Sequence, residues 1–284
     1  MTPNPRLSRA IAKFTRAAIG LQKTREKDSI ARAHTQELEQ FFQAQARLVI
    51  FRMMFMQEYM PEVQQAPEPV RLMEAKNPVS TEALKRWADI WQDVEQKTTD
   101  ELQQIVKGIE GDALVKGANQ LAGQLKFDAK TTFSLSNPRA VAWMRKNGGS
   151  LSYIKDIQST TAESLKRVVT TGLDEGWSYN TTAREIQKLY DGPISRQRAQ
   201  LIAVTESARA YEAGNHAFAQ SIEDDGVNME KQWTTSHDDR VSDGCATNEA
   251  DGWIPINEAH TSGDQEPPRF PGCRCYEQYR QARA

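Results

Sequence analysis

The sequence predicts a mainly α protein, with a helical N-terminal and middle bundle followed by a small α+β C-terminal module of short strands and a proline loop that carries cysteines. Three observations predict this. Over most of the first 225 positions, apolar residues recur at spacings of three, four, seven and eight, the period of a buried helix face. Beyond Gly226 the texture changes to short β-like runs separated by Asp-rich and Asp-Gly turns. The stretch "PPRFPGCRC", Pro267 to Cys275, is rigid and holds two of the three cysteines.

From Leu7 to about Glu62 the chain reads as one or two helices, and Phe41, Phe42, Leu48, Val49, Phe51, Met54, Phe55 and Tyr59 form a broad apolar stripe. That stripe is either core within its own domain or a Met-rich docking face, which predicts oligomers or aggregation in isolation. Pro61, Pro67, Pro69 and Pro78 interrupt helix and mark a linker. Ser80 or Thr81 then caps a long helix carrying Leu84, Trp87, Trp91, Val94, Leu102, Ile105 and Ile109. Gly108, Gly111 and Gly117 are expected to loosen the next stretch of chain.

A short helix starts near Pro138 and ends at the Gly148–Gly149 pair. A second places Ile154, Ile157, Leu165, Val168 and Val169 at helical spacing and stops at Gly176. "SYNTTAREIQKLYDG" is a third, capped by Ser178 or Asn180, and Ser195 is the expected cap of the last long helix. In the small module, strands are expected around Trp233 to Thr235, after the Asp251-Gly252 turn and in "CRCYEQYR". Four segments result: a basic helical arm over 1–65, a segment with a long amphipathic helix over 66–130, a helical segment over 131–225 and the small module over 226–284.

Charge narrows the partners. The net charge of −2 argues against wholesale coating of nucleic acid. The distribution is uneven, however: Arg6, Arg9, Lys13, Arg16, Lys23, Arg25, Lys27 and Arg32 oppose only Glu26 and Asp28 in the first thirty-odd residues, while the last quarter is acidic. Arg6, Arg9, Lys13, Arg16, Lys23 and Arg25 are therefore candidates to touch phosphate or an acidic protein surface. No secretory signal and no apolar window of about 18 residues is visible, so a cytosolic protein with no membrane partner is expected.

Three cysteines do not pair fully within one chain, which leaves metal binding or plain burial. Cys245, Cys273 and Cys275 offer three thiolates, and a tetrahedral zinc would need a fourth ligand from among His237, Asp239, Asp243 and His260, with the histidines the better match. The alternative is three buried thiols with no ion. On the last long helix Arg198, Thr205 and Glu206 share one face with Arg209 in reach, either as a polar seam that positions the C-terminal module or as a solvated ion pair. "SHDDR" suggests a metal-dependent DNA-processing site on His237, Asp238 and Asp239. No phosphate-cradling glycine loop, G-x-S-x-G or H-E-x-x-H accompanies it, so the expectation is no enzyme.

The succession "RQRAQLIAVTESARAYEAGNHAFA", "KQWTTSHDDRVSDGCATNEADG" and "PPRFPGCRC" resembles the Mu F-like head morphogenesis family, the phage minor head proteins. The resemblance covers roughly Phe133 to Tyr276. Arg198, Thr205 and Glu206 fall on the family's helix motif, Lys231, Trp233, Asp239 and Arg240 on its strand and turn, and Pro268 and Arg274 on its proline–cysteine ending. Two positions depart: Ser242 stands where many members have the first cysteine of a C-x-x-C, and Phe270 stands where the ending has histidine. The resemblance implies a bacteriophage virion protein of the capsid interior at the portal vertex, assembled in the host cytoplasm. It would bind the portal, with scaffold, major capsid protein and packaged double-stranded DNA as further candidate partners, and would assist head assembly, DNA packaging or DNA ejection. A DNA-ejection protein released with the genome is the alternative within that setting. The departure at Ser242 weakens a structural zinc, and no cofactor is expected beyond it. Trp233, Trp253 and Phe270 packed over the thiols are the expected replacement.

Overall fold

The computed structural model describes residues 5–58, 81–126, 133–149, 151–177 and 179–282. Its helices are α1 (Pro5–Glu58), α2 (Thr81–Gln124), α3 (Pro138–Asn147), α4 (Leu151–Asp174), α5 (Tyr179–Asp191), α6 (Pro193–Asp224) and α7 (Asp243–Ala250). Three strands, β1 (Met229–Thr234), β2 (Ile254–Pro255) and β3 (Tyr276–Gln281), form an antiparallel sheet in the order β2-β1-β3. The predicted fold class holds: helices first, then a small mixed module. The boundaries expected near residues 65 and 130 fall outside the described residues, and α6 ends at Asp224 beside the third.

α1 is one continuous helix, one of the two readings of that stretch. Three elements differ from the sequence reading. α2 runs without a break through Gly108, Gly111 and Gly117. α6 begins at Pro193, a favoured first-turn residue, so Ser195 is a buried helical residue and not the cap. The Asp-rich stretch after β1 contains α7, whose cap is Ser242: its side chain accepts the Cys245 N–H at 3.3 Å.

The chain forms two compact units, each drawn from non-contiguous segments. One comprises Gln36–Ile105 and Gly149–Ala199. Its core takes Leu38, Phe41, Phe42 and Val49 from α1, Trp87, Trp91, Val94 and Leu102 from α2, and Ile154, Leu165 and Ile186 from α4 and α5. Phe41, Phe42 and Val49 of the stripe on α1 are therefore core, and Leu48 is half-buried. Phe51 is exposed, and the side chains of Met54, Phe55 and Tyr59 lie outside the described residues. Gln45 is buried in this core because it has partners, Thr98 at 2.8 Å and Gln158 at 2.7 Å.

The other unit comprises Met1–Thr35, Val106–Gly148 and Gln200–Ala284. Ala113, Leu114, Ala118 and Leu121 of α2 meet Ala210, Tyr211, Ala213, Ala217 and Phe218 of α6, with Phe133, Met229, Ile256 and Tyr279 completing the cluster. The two helices touch backbone to backbone. A Cβ on Gly117 would lie 2.0 Å from Tyr211 O, and one on Gly214 would lie 2.0 Å from Leu114 O. Glycine within a helix costs about 0.5–1 kcal/mol of conformational entropy relative to alanine, and here the close approach explains its presence. Gly20 of α1 plays the same part against β3, since a Cβ there would lie 2.6 Å from the Tyr276 hydroxyl and 2.8 Å from its ring.

Gly117→Ala and Gly214→Ala are expected to lower stability by about 1–3 kcal/mol or more each through overpacking. Gly123→Ala, where a Cβ meets nothing within 4 Å, is expected to raise it by about 0.4–1 kcal/mol. Urea unfolding midpoints of the three variants check the contrast.

Candidate metal centre and the buried polar cluster beside it

The register of the sheet delivers the cysteines. Thr234, the last residue of β1, pairs with Tyr276, the first of β3, and Trp233 pairs with Glu277. Cys275 and Cys273 thus arrive at the end of β1, and α7 brings Cys245 to the same place. The three Sγ atoms all lie within 4.8 Å of one another and all three side chains are buried. Cys245 and Cys273 are 3.9 Å apart, and none of the three is in a disulfide. Trp233 and Val241 pack around them.

Their electrostatics differ. Cys273 is lowered to about 5, first by the hydrogen bond from the Cys275 thiol; burial opposes this, and the backbone N–H groups of Cys275 and Arg269 assist. Cys275 is pushed up because it donates to Cys273 and is buried, while the indole N–H of Trp233 works in the opposite direction. That indole nitrogen has no conventional hydrogen-bond partner among the described residues, so a sulfur is what it faces. Cys245 is pushed up mainly by burial. The three sulfurs thus face one another, with backbone and indole donors around them.

A four-cysteine zinc site does not fit this residue set. Ser242 stands at the missing position with its hydroxyl engaged as the α7 cap. His237, expected as a fourth ligand, is instead an exposed residue in the left-handed region (φ 54°), with Nε2 3.3 Å from Glu249 and Nδ1 3.2 Å from Thr235. His260 has both ring nitrogens occupied by carboxylates. Among the described residues no fourth protein ligand joins the three sulfurs. Phe270 is 39% exposed and Trp253 stacks against Arg280 at 4.0 Å, so of the three aromatics expected over the thiols only Trp233 is there.

The acidic loop is a set of separate turns. Asp238 accepts from Ser236 and from the Arg240 N–H, each at 3.1 Å, and pairs with Arg274. Asp239 and Arg240 are exposed. His237, Asp238 and Asp239 therefore do not converge on one point. Pro268 follows buried Pro267 in the loop that leads to the cysteines.

On α6, the helix motif divides. Thr205 accepts the Gly272 N–H at 3.2 Å and so ties the proline loop to the helix. Glu206 is buried and shares Arg209 with Glu110 of α2. Arg198 belongs to the other unit, where it donates to Ile157 O at 2.6 Å and lies over the Phe42 ring.

Sequence reasoning missed the densest polar feature of the unit. Lys23 and Lys27 of α1 are buried and both reach Glu212 of α6, at 3.4 and 3.1 Å; Lys23 also donates to Glu277 O at 2.6 Å and Lys27 to Cys275 O at 3.2 Å. Burial lowers Lys23, with Glu212 opposing. Glu277 in turn contacts His260 Nε2 at 2.9 Å, and His260 Nδ1 contacts Asp251 at 3.3 Å. Burial raises Glu277 against the pull of His260. Asp251 is lowered overall: burial pushes it up, but Thr261 and His260 outweigh that. Lys23 was a candidate for phosphate or portal contact, and its burial overturns that role. Arg25 is exposed as expected, while the side chains of Arg6, Arg9, Lys13 and Arg16 lie outside the described residues. Beside this cluster, Lys231 donates to Gln265 O at 2.6 Å, and Glu266 lies 3.9 Å from His216.

Residues 163–277 match the model of the family described as Phage Mu protein F like protein. No curated protein and no solved structure matches the chain. The matched span runs from α4 into β3 and contains the three cysteines, Ser242, Trp233, His260 and Glu212. The resemblance read from the motifs thus holds for the C-terminal half, and it implies a phage head-related protein.

Glu266 provides a test of the polar interior. It is pushed up to about 8, by burial first and by the charge of Glu277 second, with Lys231 opposing. The folded carboxyl therefore holds its proton more tightly than the unfolded one. Its stabilising share is present in acid and is lost as the pH rises from the ordinary carboxylate range to about 8. Glu266→Gln is expected to gain stability over the parent progressively across that window, with no gain in acid, as read from urea midpoints at several pH values.

Proposed function

We propose that the protein is a non-enzymatic minor head component of a bacteriophage virion, which binds the portal inside the capsid and assists head assembly, DNA packaging or ejection. The observation that carries this reading is the family match over 163–277, supported by the order of motifs within it. The dispersal of His237, Asp238 and Asp239 into separate turns supports a structural role over DNA hydrolysis. No described helix is long and apolar enough to cross a membrane.

The docking surface proposed here is the outward face of the basic arm. Lys23 and Lys27 are consumed within the fold, so among the eight basic residues up to Arg32, Arg25 and Arg32, both exposed, are the described cations left to meet an acidic portal surface or DNA phosphate. Deleting residues 1–65 would remove Lys23 and Lys27 together with the arm. Charge reversal therefore separates docking from folding.

Co-purification of the full chain with the portal protein of the same phage is expected to yield a complex, and Arg25→Glu with Arg32→Glu to weaken it without loss of helicity by circular dichroism. If the contact is instead to DNA, the same variant should lower the slope of log affinity against log salt by about one to two for two lost phosphate contacts. A folded wild-type chain that associates with neither portal nor DNA would refute the docking proposal.

A further inference from the structure

We propose that Cys245, Cys273 and Cys275 form a three-thiolate metal site whose fourth position is filled from outside the chain, by water or another small ligand. This is independent of the portal reading. Three sulfurs within 4.8 Å of one another and buried are closer to a preformed ligand set than to ordinary core cysteines, each of which would need only apolar neighbours.

The surroundings point the same way. Backbone N–H groups of Cys275 and Arg269 donate to Cys273, and the Trp233 indole faces Cys275 with no other acceptor among the described residues. Donors aimed at sulfur are the outer layer that orients thiolate ligands and disperses their charge. The rest of the polar inventory is spent elsewhere: Ser242 caps α7, His237 sits on Glu249, and His260 is held between Asp251 and Glu277. A soft thiophilic ion is the matching class, with zinc satisfied only if an external ligand completes its tetrahedron.

The test uses the reduced full-length chain and Co2+ as the probe, with sulfur-to-cobalt charge-transfer absorbance as the readout. The wild type is expected to bind one Co2+ with a charge-transfer band, and Cys273→Ser is expected to lose most of it while near-ultraviolet circular dichroism reports whether the fold survives. Ser242→Cys adds the missing sulfur, so its band should exceed the wild-type one in a ratio of roughly four to three, with tighter binding. Absence of a band in the wild type, whether or not Ser242→Cys shows one, would overturn the proposal. Equal bands in wild type and Ser242→Cys would overturn it as well, since they would mean that a fourth protein ligand is already present.

Discussion

The C-terminal module depends on one buried ionic contact, the grip of Lys23 and Lys27 on Glu212. A module of three short strands and an eight-residue helix has little apolar surface of its own. The two lysines supply what it lacks by reaching through the protein to Glu277 O and Cys275 O, the carbonyls that flank the start of β3. One carboxylate serves both lysines there, and each ammonium group also donates to a backbone carbonyl, so every polar group of the set has a partner, which is the condition under which polar groups tolerate burial. Gly20, three residues before Lys23, lets α1 lie close enough to Tyr276 for those reaches to be made.

From that contact the remaining polar interior extends as a chain. Glu212 accepts the Glu277 N–H at 3.3 Å, the Glu277 side chain holds His260, and His260 holds Asp251, which in turn fixes the Thr261 turn. Trp233 lies edge-on to His260 at 5.3 Å on one side and packs among the thiols on the other. The thiol cluster is thus braced by the same lattice that anchors α1.

The helices and the sheet were legible in the sequence because local signals mark them: helical apolar periodicity, Pro138, Asp251-Gly252, and the change of texture at Gly226. The convergence of the cysteines was legible from "CRC" and Cys245, although the fourth ligand was not, since His237 and His260 are each claimed by carboxylates that no spacing reveals. α7 was hidden because "SDGC" reads as a turn unless Ser242 is recognised as a cap. The glycines of α2 read as loosening because the backbone that needs them, at Tyr211, lies far along the chain. Lys23 and Lys27 read as a solvated arm for the same reason, as Glu212 is 189 residues beyond Lys23.

The central claim is that Lys23, Lys27 and Glu212 act as one buried unit on which the module rests. Its most direct test is the unfolding free energy of Lys23→Met, Lys27→Met, Glu212→Leu and the triple variant, measured by urea denaturation. The account predicts that Glu212→Leu, which strands both lysines, costs about 3–5 kcal/mol, that each lysine substitution alone costs less because the other lysine still pairs with Glu212, and that the triple costs far less than the sum. Single substitutions costing under about 1 kcal/mol and adding independently would contradict it.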